Sequence, residues 1–494
     1  MHISPVPDPR LSRRTFLKIA GGTVAAGAMP FGPFSHAAQV AADNGKILVV
    51  VMLYGGNDGL NTLIPYADPD YYSNRTVLGV PEAQLAGTKI SDTSAYHPSL
   101  DAFYRLYQEG VLCNVQGVGY GNSSRSHFTS TDIWRTANVN PFTAGGGWVA
   151  RCGKAGYVGD RPESVVGVHR LDGMLLAPGF HAASITSLAG FDFTQKNSTP
   201  LLTTKYIREL CAQTVPADSE LAHLQSTGLQ TCELIDTMAA AAGYTPQREY
   251  PNTTFAQDLR LVSQIIHTGI ATRVFHTGFS GFDTHSNQNG RQPKLLQTLG
   301  DALETFYLDL TDNNRHEDVL VCVISEFGRR VKENASGGTD HGSGNVGFVL
   351  GPVARTSVGP PPDLDADALY RGDVLYSIDF RAMYAEIIEK WFSADSVPIL
   401  GEQYEHPGIL LGIPPTETPT PTSTATPTDT NTPTPTSAAM ADLYRDGRIN
   451  SRDLFEFALK WGKGPSSGPM PEDLVQDGSI DAADLFKLIE QLTR

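Results

Sequence analysis

Apolar residues in the middle of this chain fall into two kinds of run. Residues 47–53, 111–115, 273–275, 319–324 and 348–350 form short continuous stretches, rich in β-branched side chains and without polar alternation. Such runs predict strands covered on both faces. Between and beyond them, Leu295, Leu296, Leu299, Leu303, Phe306, Tyr307 and Leu310 recur at helical spacing, as do Phe380, Met383, Tyr384, Ile387, Ile388 and Trp391. Strand alternating with helix predicts an α/β domain over residues 45–413 with a mostly parallel sheet.

Polar residues follow these strands in a repeated way. The first runs into Gly55-Gly56-Asn57-Asp58-Gly59 and the second leads to Arg125-Ser126-His127. The 273–275 strand leads to Phe282-Asp283-Thr284-His285, and the 319–324 strand to Ser325-Glu326-Phe327-Gly328-Arg329-Arg330. Asp340-His341-Gly342 precedes the 348–350 strand. Each has a plain structural reading. Gly-Gly-Asn-Asp-Gly is a tight turn, Ser126 and Asp283 are caps, Asp340-His341 is a turn, and Glu326 forms an ion pair with Arg329 or Arg330. Taken together, metal-competent Asp, Glu and His recur at the ends of separate strands. In an open parallel sheet those ends share the edge where ligands bind, so a shared polar site is expected there.

The two ends of the chain read differently. Ser12-Arg13-Arg14-Thr15-Phe16-Leu17-Lys18, a mild apolar run and Ser35-His36-Ala37 form a basic head, a short greasy middle and a small-x-small cleavage site. Residues 1–37 resemble a twin-arginine signal, which implies export of a folded protein to the periplasm, the cell surface or beyond. No other run approaches the 18 apolar residues of a membrane span. Residues 414–437 are Pro-Thr repeats, an extended linker at about 3.1 Å per residue.

Residues 438–494 contain a duplication with a shift of 31. Asp442, Asp446, Asn450 and Asp453 are echoed by Asp473, Asp477, Asp481 and Asp484, at loop positions 1, 5, 9 and 12. Gly447 and Gly478 stand at the sharp turn, and Ile449 and Ile480 two residues on. This spacing wraps oxygens around a hard cation and predicts two calcium loops, each followed by an apolar helix. The module resembles a type I dockerin, which implies calcium binding and a cohesin-like protein partner. Tyr444 and Val475 replace its usual position-3 ligand, so each site should bind calcium more weakly.

Composition narrows the classes. The chain has 494 residues, 37 Lys and Arg against 53 Asp and Glu, and a net charge of −16. A nucleic-acid-binding surface is therefore not expected. Five cysteines with no C-x-x-C spacing exclude a disulfide scaffold and a thiolate zinc site.

Leu53-Tyr54-Gly55-Gly56-Asn57-Asp58-Gly59-Leu60-Asn61, Arg125-Ser126-His127-Phe128, Gly281-Phe282-Asp283-Thr284-His285, Ser325-Glu326-Phe327-Gly328-Arg329 and Gly338-Thr339-Asp340-His341-Gly342 resemble the DUF 1501 family of exported bacterial proteins without assigned function. That family is similar to the alkaline phosphatase and sulfatase superfamily. The resemblance implies a three-layer α/β/α fold with divalent metals (Zn, Mg or Ca) at the strand ends. It implies Asp58, Asp283, His285, Glu326, Asp340 and His341 as the metal set, Ser126 as nucleophile, and Arg125 or Arg329 to neutralise charge. The superfamily's Asp-x-x-x-His is Asp-x-His here, and its strand-end Asp-His is Ser325-Glu326. No Cys-x-Pro-x-Arg occurs, which excludes a formylglycine sulfatase of the usual kind. The expected function is a metal-dependent hydrolase of phosphate or sulfate esters tethered by the C-terminal module. The alternatives are a non-catalytic surface or assembly protein and a polysaccharide-associated factor acting through calcium-dependent partner binding.

Overall fold

Among the described residues, nine strands form the central sheet. The structure, a computed structural model, describes residues 45–159, 161–188 and 243–411, with scattered positions between 208 and 236. The signal-like segment 1–37, the linker 414–437 and the paired-loop module 438–494 lie outside the described residues. In chain order the strands are β1 (Ile47–Tyr54), β2 (Leu63–Ile64), β3 (Ala95–Tyr96), β4 (Leu112–Gly119), β5 (Val165–Val168), β6 (Ala183–Ile185), β7 (Val274–Ser280), β8 (Val319–Ile324), β9 (Arg329–Glu333), β10 (Thr339–His341), β11 (Asn345–Leu350), β12 (Ser357–Val358) and β13 (Ile378–Asp379). The helices are α1 (Pro69–Asn74), α2 (Asp101–Gln108), α3 (His127–Thr136), α4 (Trp148–Lys154), α5 (Thr254–His267), α6 (Gln288–Asp312), α7 (Phe380–Glu386) and α8 (Val397–Leu400). No described helix is long and apolar enough to cross a membrane. All five cysteines are buried and none is in a disulfide.

The sheet runs β12-β4-β11-β8-β1-β7-β5-β6, with β13 also on β4. β1 is parallel to β7 and β8, β5 to β6 and β7, and β12 and β13 to β4. β11 alone is antiparallel to its neighbours β4 and β8. That reversal places the amino end of β11 at the edge where the parallel strands end, and the residues just before it come with it.

β1 is an unbroken apolar run because both its faces are covered. Val49, Val51 and Leu53 pack with Phe103 of α2, Leu259 of α5 and Leu303 and Phe306 of α6. Leu48, Val50 and Met52 pack on the other face with Trp134 of α3, Trp148 of α4 and Met383 and Tyr384 of α7. Each such buried side chain contributes on the order of 1.5–3 kcal/mol. β4 and β7 continue past the apolar runs that announced them, through Gln116 in β4 and His276 and Thr277 in β7, which are buried although polar. Asn114 Oδ1 accepts from Tyr96 Oη at 2.6 Å, and Thr277 Oγ1 donates to Asp258 at 3.0 Å.

Candidate metal centre

The turns after β1, β7 and β8 are laced together. Gly55 has φ +119°, and a Cβ there would lie 2.4 Å from the Asp283 nitrogen. Only glycine permits that backbone and that approach. The Gly55 N–H donates to Glu326 Oε1 at 2.8 Å. Ser325 Oγ donates to the Leu53 carbonyl at 2.7 Å and accepts the Asn57 N–H at 2.9 Å.

Arg329 ties this frame to Asp283. It is buried, and its guanidinium donates to the carbonyls of Gly55, Gly56 (2.7 Å), Phe282 (3.0 Å) and Thr339 (2.8 Å), and to Asp283 Oδ1 at 2.7 Å. β9 and β10 pair antiparallel with His341 opposite Arg329. The ladder and the reversed β11 together carry His341 to the same edge.

Three imidazoles converge on one carboxylate oxygen. His341 Nε2 and His285 Nε2 each lie 3.2 Å from Asp283 Oδ1, and His127 Nε2 lies 3.6 Å from it. His127, Asp283 and His341 offer ligand atoms all within 4.8 Å of one another. His285 Nε2 stands 2.9 Å from His341 Nε2. The far nitrogen of every ring is anchored. His127 Nδ1 meets Glu326 Oε1 at 2.9 Å, His285 Nδ1 meets Asp340 Oδ1 at 3.0 Å, and His341 Nδ1 meets the Arg125 carbonyl at 2.7 Å. Carbonyl and carboxylate oxygens only accept, so in a neutral ring each Nδ1 carries the hydrogen and Nε2 is the nitrogen open to a cation beside Asp283. That tautomer, fixed by an outer oxygen, is the one a metal-binding imidazole needs. Three Nε2 atoms and one carboxylate oxygen thus face one another, with Arg329 as a fixed donor behind Asp283. The donor set fits a divalent cation.

The electrostatics agree. Burial alone would raise the Asp283 carboxyl, but the Arg329 hydrogen bond and charge, helped by His341 and His285, bring it down to about 2. The carboxylate is nevertheless 46% exposed and reachable from solvent. The hydrogen bond to Glu326 raises His127, so a cation at its Nε2 would take the place of a proton that the surroundings favour. Burial lowers His341 and keeps its ring neutral. Hydrogen bonds from Asn334 and His285 hold Asp340 below the usual range.

The structure brings together Asp283, His285, Glu326, Asp340 and His341 of the sequence-derived set. Glu326 and Asp340 stand behind His127 and His285 and orient them. Asp58 is elsewhere engaged: Arg75 donates to it at 2.5 and 2.9 Å, and Gln288 Nε2 at 2.5 Å, in a fully buried knot. Ser126 is exposed, and its Oγ caps α3 by accepting the Thr129 N–H at 3.5 Å. The Arg125 side chain pairs with Asp373 at 2.5 Å. The paired-loop aspartates lie outside the described residues. Sequence reasoning assigned no ligand role to His127, although it stood in the quoted Arg125-Ser126-His127. Its signal was its place after a strand, beside a residue already singled out.

A family model described as "Protein of unknown function (DUF1501)" matches residues 136–358. The matched stretch contains Asp283, His285, Glu326, Asp340 and His341. Among solved structures the chain is similar to the crystal structure of the PsFucS1 sulfatase from Pseudoalteromonas sp., at 11% identity over 75% of each chain, with a TM-score of 0.30. No curated protein matches the chain.

Proposed function

We propose that this chain is an exported hydrolase of anionic esters, of phosphate or sulfate, that works with a divalent ion held by His127, Asp283, His285 and His341. The observation that carries the reading is the convergence of three anchored imidazoles on Asp283 Oδ1. A nitrogen-rich donor set of this kind suits zinc and its neighbours better than magnesium or calcium. Such an ion supplies Lewis acidity toward a phosphoryl or sulfuryl oxygen and lowers the pKa of a hydroxyl or water.

The chain's own residues have separate tasks. Glu326 and Asp340 fix the ring orientations of His127 and His285, and Arg329 fixes Asp283. Ser126 is the proposed nucleophile, an exposed hydroxyl beside His127 at the amino end of α3, where the helix dipole favours an anion. Arg125, Arg330 and Arg291 stand on elements around the same edge, and Arg125 and Arg330 share Asp373. Arginines gathered at that edge, in a chain of net charge −16, favour an anionic substrate locally.

The proposal extends to the ends of the chain: export by the twin-arginine route, and tethering through calcium in residues 438–494 to a cohesin-like partner. A second reading, a non-catalytic surface or assembly protein, is favoured by the Asp58–Arg75 knot, which removes one carboxylate from a two-metal arrangement. Metal analysis of the purified full chain, with a screen of aryl phosphates and aryl sulfates, tests the first reading. The expected result is one equivalent of transition metal, apart from any calcium, and turnover that chelation removes and Ser126→Ala abolishes. Bound metal without turnover would favour the second reading, and no bound metal would reject the first.

A further inference from the structure

One arginine on the carboxyl edge is built into place, with no hydrogen-bond or ion-pair partner for its guanidinium among the described residues. β5 is followed by His169, with φ +65°, whose N–H donates to the Ile185 carbonyl at 2.9 Å and whose Nε2 lies 2.7 Å from Asp258 Oδ1. The loop that follows is therefore pinned at its root. Its next residue, Arg170, is exposed and lays its guanidinium over the Tyr54 ring, 4.7 Å from the centroid.

The ring beneath is itself clamped. Tyr54 Oη donates to Asp172 Oδ2 at 2.8 Å. Asp172 is buried and takes the Arg135 fork at 2.6–3.0 Å and the Met174 N–H at 2.9 Å. Tyr54 ends β1 and adjoins Gly55, which touches both Asp283 and Glu326. The platform for Arg170 is thus covalently next to the frame of the metal centre. Arg125, Arg135 and Arg329 each hold a carboxylate. Arg170 makes no hydrogen bond or ion pair among the described residues. A guanidinium orders its planar fork by stacking on an aromatic face, and its N–H groups then match the oxygens of a phosphate, sulfate or carboxylate.

We propose that Arg170 is a specificity-determining anion arm. It takes a second negatively charged group of the substrate while the first lies at the three-imidazole cluster, so the substrate class is an ester carrying at least two anionic groups. The proposal rests on the anionic-ester reading above. It predicts a difference between singly and doubly charged ligands that a structural role for Arg170 would not produce.

Calorimetric titration of the metal-loaded full chain with alkanediol monophosphates and bisphosphates, of about two to eight carbons, tests it. At one or more lengths the bisphosphate should bind at least about tenfold more tightly than the monophosphate, an advantage that falls with added salt. Arg170→Gln should remove that advantage and leave metal content and monophosphate affinity unchanged. Arg170→Lys should keep part of it, and Tyr54→Leu should reduce it with Arg170 still present. No advantage at any length, failure of both ligands to bind, or an advantage that survives in Arg170→Gln would overturn the arm. Tight binding of the bisphosphate without turnover of any ester would overturn the hydrolase reading and leave the arm standing.

Discussion

Asp58 and Asp283 follow neighbouring parallel strands, β1 and β7, at the same edge of the sheet, yet they do opposite things. Asp58 is buried, and a buried arginine and an amide consume both its oxygens. Asp283 also has a buried arginine behind it, but Arg329 reaches one oxygen and spends its other hydrogens on main-chain carbonyls. What faces Asp283 from the front is three imidazole Nε2 atoms. A carboxylate at a strand end becomes a ligand when its neighbours leave acceptors uncompensated, and a structural anchor when they supply donors. Position at the edge is common to both, and the donor count separates them.

The largest effect should come from breaking the anchor. Asp58→Ala leaves the Arg75 guanidinium buried and without its ion partner, and should cost about 3–5 kcal/mol of stability in denaturant unfolding. Asp58→Leu with Arg75→Met should recover much of it, since a packed apolar pair avoids the unpaired charge. Asp283→Ala should cost far less stability, because Arg329 keeps its carbonyl partners.

Metal affinity should show the reverse order. His341→Ala and Asp283→Ala should each lower it by more than the about 10–100-fold expected for loss of an orienting group, whereas Asp340→Asn and Glu326→Gln should fall within that range. Titration with zinc against a competing chelator checks the ranking. If Asp340→Asn were as damaging as His341→Ala, Asp340 would be a ligand and the assignment of its role would fail.

A third effect concerns acid stability. Burial opposes the charged form of Asp172, but nearby His276, the Arg135 fork and the Met174 N–H outweigh it and bring the carboxyl down to about 2. A folded-state pKa below the unfolded value of about 3.9 stabilises the fold above about pH 4, and that contribution is lost as pH falls through about 2. Asp172→Asn should therefore cost on the order of 2 kcal/mol at neutral pH and flatten the stability curve between about pH 4 and pH 2. An unchanged acid limb would show that Asp172 is not the group that titrates there.

The smallest structural effect should be that of Ser126→Ala. Its cap is long, 3.5 Å, so the loss should lie near the low end of the about 0.5–2 kcal/mol range for caps. Metal binding should not change. Turnover, if Ser126 is the nucleophile, should disappear.

Legibility in the sequence followed the physics of each feature. The 319–324 run is β8 residue for residue, because every member is buried and apolar. β7 outran its apolar signal because His276 and Thr277 are buried polar residues with local partners, or with a carboxylate nearby. The edge residues were legible because ligand chemistry uses few residue types and a parallel sheet gathers its ends. Arg75 and Asp373 were not legible. They lie in connecting segments, and their importance is the geometry of ion pairs with other elements, Asp58 for Arg75 and Arg125 and Arg330 for Asp373. The place of His341 depended on the direction of β11, which no local pattern encodes. His127 shares its triplet with Ser126 and Arg125, and only the distances distinguish the ring that faces Asp283 from the hydroxyl that caps the helix.

The central claim is that Asp283 and the imidazoles around it hold one divalent ion. Elemental analysis of the full chain, loaded with zinc and freed of excess metal, tests it directly when wild type is set beside Asp283→Ala and His341→Ala. About one zinc per folded wild-type chain is expected at this centre, with a loss of that equivalent in both variants and folding confirmed by circular dichroism. Wild type that retains no zinc, or an Asp283→Ala variant that retains as much as wild type, would contradict it.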